Sequence, residues 1–163
     1  MPADIIKLFD LDTLKLFLPV IRKSFQTVAD QFGLTETNSP TNPAFTDIEK
    51  LNILASKAEC YGLFADGRPA GFFAIEYNND SKTAFLERVC VLPEYRHNKY
   101  GKTLLEQAEK ECLDNDINKI SIGIININEV LKTWYKAFGF IEVEVKTYPH
   151  LPFEVCFLDK KLK

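Results

Sequence analysis

Val89-Cys90-Val91-Leu92-Pro93-Glu94-Tyr95-Arg96-His97-Asn98-Lys99-Tyr100-Gly101-Lys102-Thr103-Leu104-Leu105 is the stretch from which the rest of this chain can be read. An apolar run stops at Pro93, a short basic loop follows, and a helical pattern begins near Gly101. The first amides of a helix lack intrahelical acceptors and lie at the positive end of its dipole, so such a junction favours a bound anion. Arg96, Lys99 and Lys102 add charge at the same spot, and a phosphate or pyrophosphate suits it. Two other readings stand beside this one. The first is a solvated strand-to-helix loop that binds nothing. The second is a P-loop, since Gly101-Lys102-Thr103 resembles the end of G-x-x-x-x-G-K-[ST]; its opening glycine, however, falls on Arg96.

Upstream, residues 61–65, 70–77 and 83–92 are apolar, β-rich runs separated by Asp66-Gly67-Arg68-Pro69 and Asn78-Asn79-Asp80. They predict three consecutive strands in an antiparallel meander, the wrong setting for a P-loop. Downstream, residues 100–114 predict a helix with Leu104, Leu105, Ala108 and Cys112 on one face. Residues 120–125 predict a short apolar strand. A second amphipathic helix covers 128–138 and ends at Gly139, followed by strands at 140–147 and 153–158.

Toward the start, residues 4–9 read as a first strand and 10–32 as helix. Ile21, Phe25, Val28 and Phe32 are spaced for one buried face, and Pro19 kinks or divides the helix. Residues 33–44 are a loop around Asn38-Ser39-Pro40-Thr41-Asn42-Pro43, and helix resumes over 46–59. The order is β, α, α, β, β, β, α, β, α, β, β. A strand–helix–strand crossover between Thr83 and Ile125 requires locally parallel strands inside a mixed sheet, hence an α+β (α/β mixed sheet) fold.

At 163 residues the chain has the size of a single domain, 1–163. A hydrophobic share of 46% with 26% charged residues excludes disorder. The formal net charge of −3 offers no support for a nucleic-acid partner or an anionic membrane surface. No apolar run approaches the roughly 20 residues that span a bilayer, and the start shows no secretory pattern. Cys60, Cys90, Cys112 and Cys156 lie at no metal-ligand or redox spacing. No metal is expected, and a reducing cytoplasm is the expected location.

The quoted stretch resembles the signature of the GNAT N-acetyltransferases, a strand ending V-x-P-x-x-R/Q followed by x-x-G-x-G/A. Val91-Leu92-Pro93-Glu94-Tyr95-Arg96 matches it, Gly101 fits the last glycine, and Lys99 stands where the family usually has its first. Asn128, Tyr135 and Gly139-Phe140 resemble the family's later motif, N-x-x-x-x-x-x-Y-x-x-x-G-F. Seven residues are nearly two helical turns, so Asn128 and Tyr135 share a face.

The resemblance spans roughly residues 60–160. It implies a GNAT-like acyl-CoA N-acyltransferase fold with a splayed sheet, residues 60–163 as the acetyl-CoA-binding core and 1–59 as a first strand and acceptor-side helices. It implies transfer of acetyl from acetyl-CoA to a primary amine of a small molecule or peptide, by direct attack and without a cysteine nucleophile. A non-catalytic acyl-CoA-binding module is the alternative, motivated by Lys99.

The implied roles are specific. Backbone groups of Val89, Cys90 and Val91 align the pantetheine arm. Amides of Arg96, His97, Asn98, Lys99, Tyr100, Gly101 and Lys102 hold the pyrophosphate. Asn128 contacts the arm, and Tyr135 is the general acid. Glu87 is the candidate base. Simple alternation puts it on one side with Phe85, Val89 and Val91, and Arg88 on the opposite side. Either of the two charged residues also fits a plain ion pair. A glutamate expected near Gly123 for acceptors that are ribosomal-protein N-termini is missing, which argues against that substrate. His150, in the last turn, either borders the acceptor pocket or faces solvent. Dimers are common in the family, so a homodimer is allowed.

Overall fold

Phe72, Phe73, Ala74 and Ile75 follow one another along a single strand and are all buried, although alternation sends them to opposite faces. That strand must be covered on both sides, and this dictates a sheet sandwiched between helices. The computed structural model describes residues 3–163. Its elements are β1 (Ala3–Lys7), α1 (Leu11–Lys15), α2 (Leu18–Phe32), α3 (Ile48–Lys57), β2 (Glu59–Ala65), β3 (Arg68–Asn78), β4 (Thr83–Val91), α4 (Tyr100–Asp114), β5 (Lys119–Ile125), α5 (Glu129–Ala137), β6 (Ile141–Thr147) and β7 (Glu154–Lys161). This is the order expected from the sequence, except that the first helix is split into α1 and α2, which puts three helices before β2.

Pro19 divides the first helix. It sits in the opening turn of α2, where a missing N–H costs no helical bond. Phe17, at the joint, is fully buried between Phe64 and Phe72. Burial of such a ring stabilises by about 1.5–3 kcal/mol. Its place over β2 needs Gly62, because a Cβ there would lie 2.2 Å from the ring's Cζ. Asp10 and Asp47 cap α1 and α3, each accepting from a backbone amide at 2.8 Å.

The seven strands run in the order β1-β2-β3-β4-β5-β7-β6, antiparallel except for β4 beside β5. One core joins this sheet to α4 and α5 through Leu104, Leu105 and Tyr135. The other joins it to α1, α2 and α3 through Phe17, Ile21 and Leu51.

Two irregularities make room for a site. The β4–β5 ladder holds only for Thr83↔Lys119, Ala84↔Ile120 and Phe85↔Ser121. Beyond it, residues 86–91 and 122–125 have no ladder partner across the gap, and the sheet splays there. On its other edge β4 carries a bulge. Ala74 opposes Glu87 and Phe72 opposes Cys90, so Arg88 and Val89 share the single partner position of Phe73. Arg88 takes a left-handed φ of 55° at this point.

Candidate active site

The splay opens into a cavity of about 500 Å³. β4 contributes Phe85 to Val89, β5 contributes Ser121 to Ile125, and α5 contributes Leu131 and Tyr135. Phe25 and Val28 from α2, Ser39 and Thr41 to Pro43 from the following loop, and Phe153 next to β7 close the far side. The loop 33–44 thus forms part of this wall. His150 is exposed and contacts Tyr148; its neighbour Leu151 lines the cavity instead.

At the end of β4 the chain turns through Pro93–Tyr95 and enters α4. Lys99 is the N-cap residue with φ 64° and offers no side-chain cap. Among the described residues no acceptor is found for the amides of His97, Asn98, Lys99, Tyr100, Gly101 or Lys102. A row of donors at a helix start suits a pyrophosphate. His97, Asn98 and Lys99 are exposed, and the Asn98 amide group donates to the Tyr95 and Arg96 carbonyls, which holds the loop's shape. Gly101 has a steric reason: a Cβ there would come within 2.8 Å of the Trp134 ring, so α5 could not pack against the start of α4.

Arg96 does something the sequence did not suggest. Its guanidinium donates to the Val91 carbonyl at 3.1 Å, to the Ser24 carbonyl at 3.1 Å and to the Thr27 hydroxyl at 3.3 Å. The side chain ties β4 and the loop to α2, and the backbone amide donates to the Pro93 carbonyl at 3.3 Å, so Arg96, expected among the amides that hold a pyrophosphate, is already engaged within the protein.

Asn128 caps α5 by accepting from the Leu131 amide at 3.2 Å. Its side-chain nitrogen has no partner among the described residues, so a donor remains for a ligand in the cavity it lines. Tyr135 is held by the way α5 ends. Gly139, with φ 96°, follows the last turn, its amide donates to Lys136, and the Phe140 amide donates back to the Tyr135 carbonyl. This is a Schellman ending, and the Phe140 ring closes it against Tyr135 at 5.4 Å. The spacing Y-x-x-x-G-F is therefore the geometry of one helix terminus. Burial first, and the nearby Cys90 thiol second, push the Tyr135 phenol well above its usual range, so it stays protonated.

Glu87 and Arg88 correct the simple alternation. Ala84 and Leu86 face the α4–α5 core before the bulge, and Val89 and Val91 face it afterwards. Glu87 therefore lies on the side away from Val89 and Val91, facing α1–α3 as its partner Ala74 does. Arg88 is brought to the same cavity rather than to an opposite face, and its guanidinium pairs with the Glu87 carboxylate at 3.4 Å. No local signal marks this, because residues 85–92 are apolar on both faces and hide a parity change.

All four cysteines are free and buried. Burial raises the thiol of Cys60 to about 11 and those of Cys90 and Cys112 to about 12, so none is a thiolate near neutral pH. Among the described residues there is no cluster of His, Cys, Asp or Glu that could hold a metal ion, and no helix long and apolar enough to cross a membrane.

A splayed parallel pair, partnerless amides at the helix that follows, and a buried phenol in the splay are an arrangement suited to an acyl-CoA-dependent transferase. Residues 25–140 match the GNAT acetyltransferase family, and the chain belongs to that family of N-acetyltransferases. It is 30% identical over 141 residues to the spermidine N(1)-acetyltransferase of Thermoplasma acidophilum, covering 83% of this chain and 86% of that protein. The PaiA N-acetyltransferase of the same organism, solved in complex with coenzyme A, superposes with a TM-score of 0.78 at 26% identity over 99% of both chains. The ribosomal-protein-S18-alanine N-acetyltransferase of Escherichia coli shares the fold, with a TM-score of 0.75 at 16% identity, over 99% of this chain and 95% of that one.

Proposed function

We propose that this protein acetylates a primary amine by direct attack inside the splay. The observation that carries this reading is one cavity lined by unpaired β4 and β5 edges together with Asn128 and Tyr135, with the partnerless α4 amides following from β4. Acetyl-CoA, when bound, supplies an acyl thioester; the residues present fit it. Amides of residues 97–102 receive the pyrophosphate. Backbone groups of Val89, Cys90 and Val91 pair with the amides of the pantetheine arm as a neighbouring strand would, and the Asn128 side chain donates to it.

Glu87 accepts the proton of the acceptor ammonium, directly or through water, so that a neutral amine attacks. Tyr135 donates a proton to the departing sulfur, a role suited to a phenol kept protonated by burial. The buried thiols support transfer without an acetyl-cysteine stage. Lys99 adopts the left-handed conformation that a glycine takes readily, which supports an intact loop despite the substitution.

Calorimetric titration with acetyl-CoA, using ATP as control, tests the reading. Saturable binding of acetyl-CoA alone is expected, and its absence would overturn the proposal. Tyr135→Phe should lower kcat by roughly 10²–10⁴-fold while leaving acetyl-CoA affinity nearly unchanged. Turnover equal to wild type would remove Tyr135 from the mechanism.

A further inference from the structure

Among the described residues lining the splay cavity, Glu87 and Arg88 are the only charged ones, and they neighbour each other. The wall therefore has no net charge. A polyamine would bring several ammonium groups to one carboxylate that a guanidinium already faces, and the remaining charges would lose solvent without a partner. The acceptor chemistry that fits a neighbouring anion and cation is itself zwitterionic.

Arg88 is poorly satisfied as it stands. Its Nε is buried without a hydrogen-bond partner, and its contact with Glu87 is long, at 3.4 Å. The bulge keeps this residue in a left-handed conformation that costs a side-chain-bearing residue about 1–2 kcal/mol, yet it carries the side chain to the cavity. A second polar group of the same wall is in a similar state: Ser39 is 1% exposed, and its hydroxyl has no partner. A planar guanidinium with free N–H groups matches a carboxylate better than any other anion of similar size.

We infer that Arg88 receives the carboxylate of the acceptor, which is a free α-amino acid. This rests on the acetyltransferase reading above and names its substrate class. In an α-amino acid one carbon separates ammonium from carboxylate, so the ammonium meets Glu87 while the carboxylate meets Arg88, and the internal ion pair gives way to two external ones. Phe25, Val28, Leu151 and Phe153 supply an apolar wall for the side chain, which selects aliphatic or aromatic amino acids. The transfer forms the N–C bond and breaks the C–S bond. Of the two protons lost by the ammonium, one leaves to solvent through Glu87 and the other balances the one that Tyr135 gives to sulfur.

The test compares L-phenylalanine and L-leucine with their carboxamides and with spermidine, as acetyl acceptors and, by calorimetry with coenzyme A present, as ligands. The free acids should exceed their amides in kcat/KM by about 10–100-fold, the usual worth of a charge-assisted hydrogen bond. Arg88→Gln should bring the acids down to the level of the amides measured on the same variant, with its acetyl-CoA affinity and thermal midpoint serving as the control for folding. Arg88→Lys should recover part of the loss. Equal rates for acid and amide, preference for spermidine, or acetyl-CoA binding with no amine of the panel acetylated would each overturn this inference and leave the cofactor assignment standing. Failure to bind acetyl-CoA would remove the acetyltransferase reading and this inference with it.

Discussion

Lys99 and Glu87 show how much a single position depends on its backbone. A side-chain-bearing residue at φ 64° pays about 1–2 kcal/mol, whereas a glycine there loses about 0.5–1 kcal/mol of extra chain entropy on folding. Lys99→Gly should therefore stabilise the protein by about 0.5 kcal/mol in urea denaturation; a loss would mean that the lysine side chain contributes contacts of its own. On the proposed mechanism Glu87 acts through protonation of the acceptor. Glu87→Gln should slow the reaction most at low pH, with the deficit shrinking as pH rises and the amine loses its proton unaided. A rate deficit constant across pH would assign Glu87 to binding alone. Both residues were recognised from the sequence, but the face of Glu87 was not, since the bulge that turns it is set by pairing with β3.

Among the elements, α5 carries Asn128 and Tyr135, for which the proposed mechanism has roles, and its ends are what place it. Asn128 starts it and Gly139 stops it, so two of the motif positions legible in the sequence are the caps of this helix. Gly139→Ala forces a Cβ into a φ of 96° and to 3.2 Å from the Lys160 side chain. A destabilisation of about 1–2 kcal/mol is expected from the left-handed backbone. Because the Phe140 amide holds the Tyr135 turn, kcat should fall more than acetyl-CoA affinity; an unchanged kcat would show that Tyr135 is positioned by packing alone. The role of Arg96 was not legible. Its sequence position beside a phosphate-type loop suggested charge for the ligand, and only the docking of α2 onto β4 shows the guanidinium joining those elements.

Over the whole molecule, the C-terminal strands are tied to α5 by Glu142, which pairs with Lys132 at 3.3 Å and with Lys136, and accepts from the Cys156 thiol. The Lys136 bond first, then Cys156 and Lys132, hold its carboxyl at about 2, below the ordinary 4.5. A depressed folded-state value stabilises the fold above about pH 4.5, and that contribution disappears as pH falls toward about 2. Wild type should thus lose stability more steeply than Glu142→Gln across this window, the two converging near its acid end in circular-dichroism titrations. Parallel curves would show that the pairs are worth nothing in solution.

Local chemistry determined the element order of this protein: alternation along strands, helical spacing, aspartate and asparagine caps, Pro19 opening α2 and Gly139 closing α5 all act between near neighbours in the chain. The phosphate-type loop and the Asn128–Tyr135 spacing were legible for the same reason. The bulge, the face of Glu87, the arrival of Arg88 in the cavity and the meeting of Phe25 with Phe153 were decided by tertiary structure alone. Strand register and cavity walls depend on partners distant in sequence, and a strand apolar on both faces carries no local mark of where its parity changes.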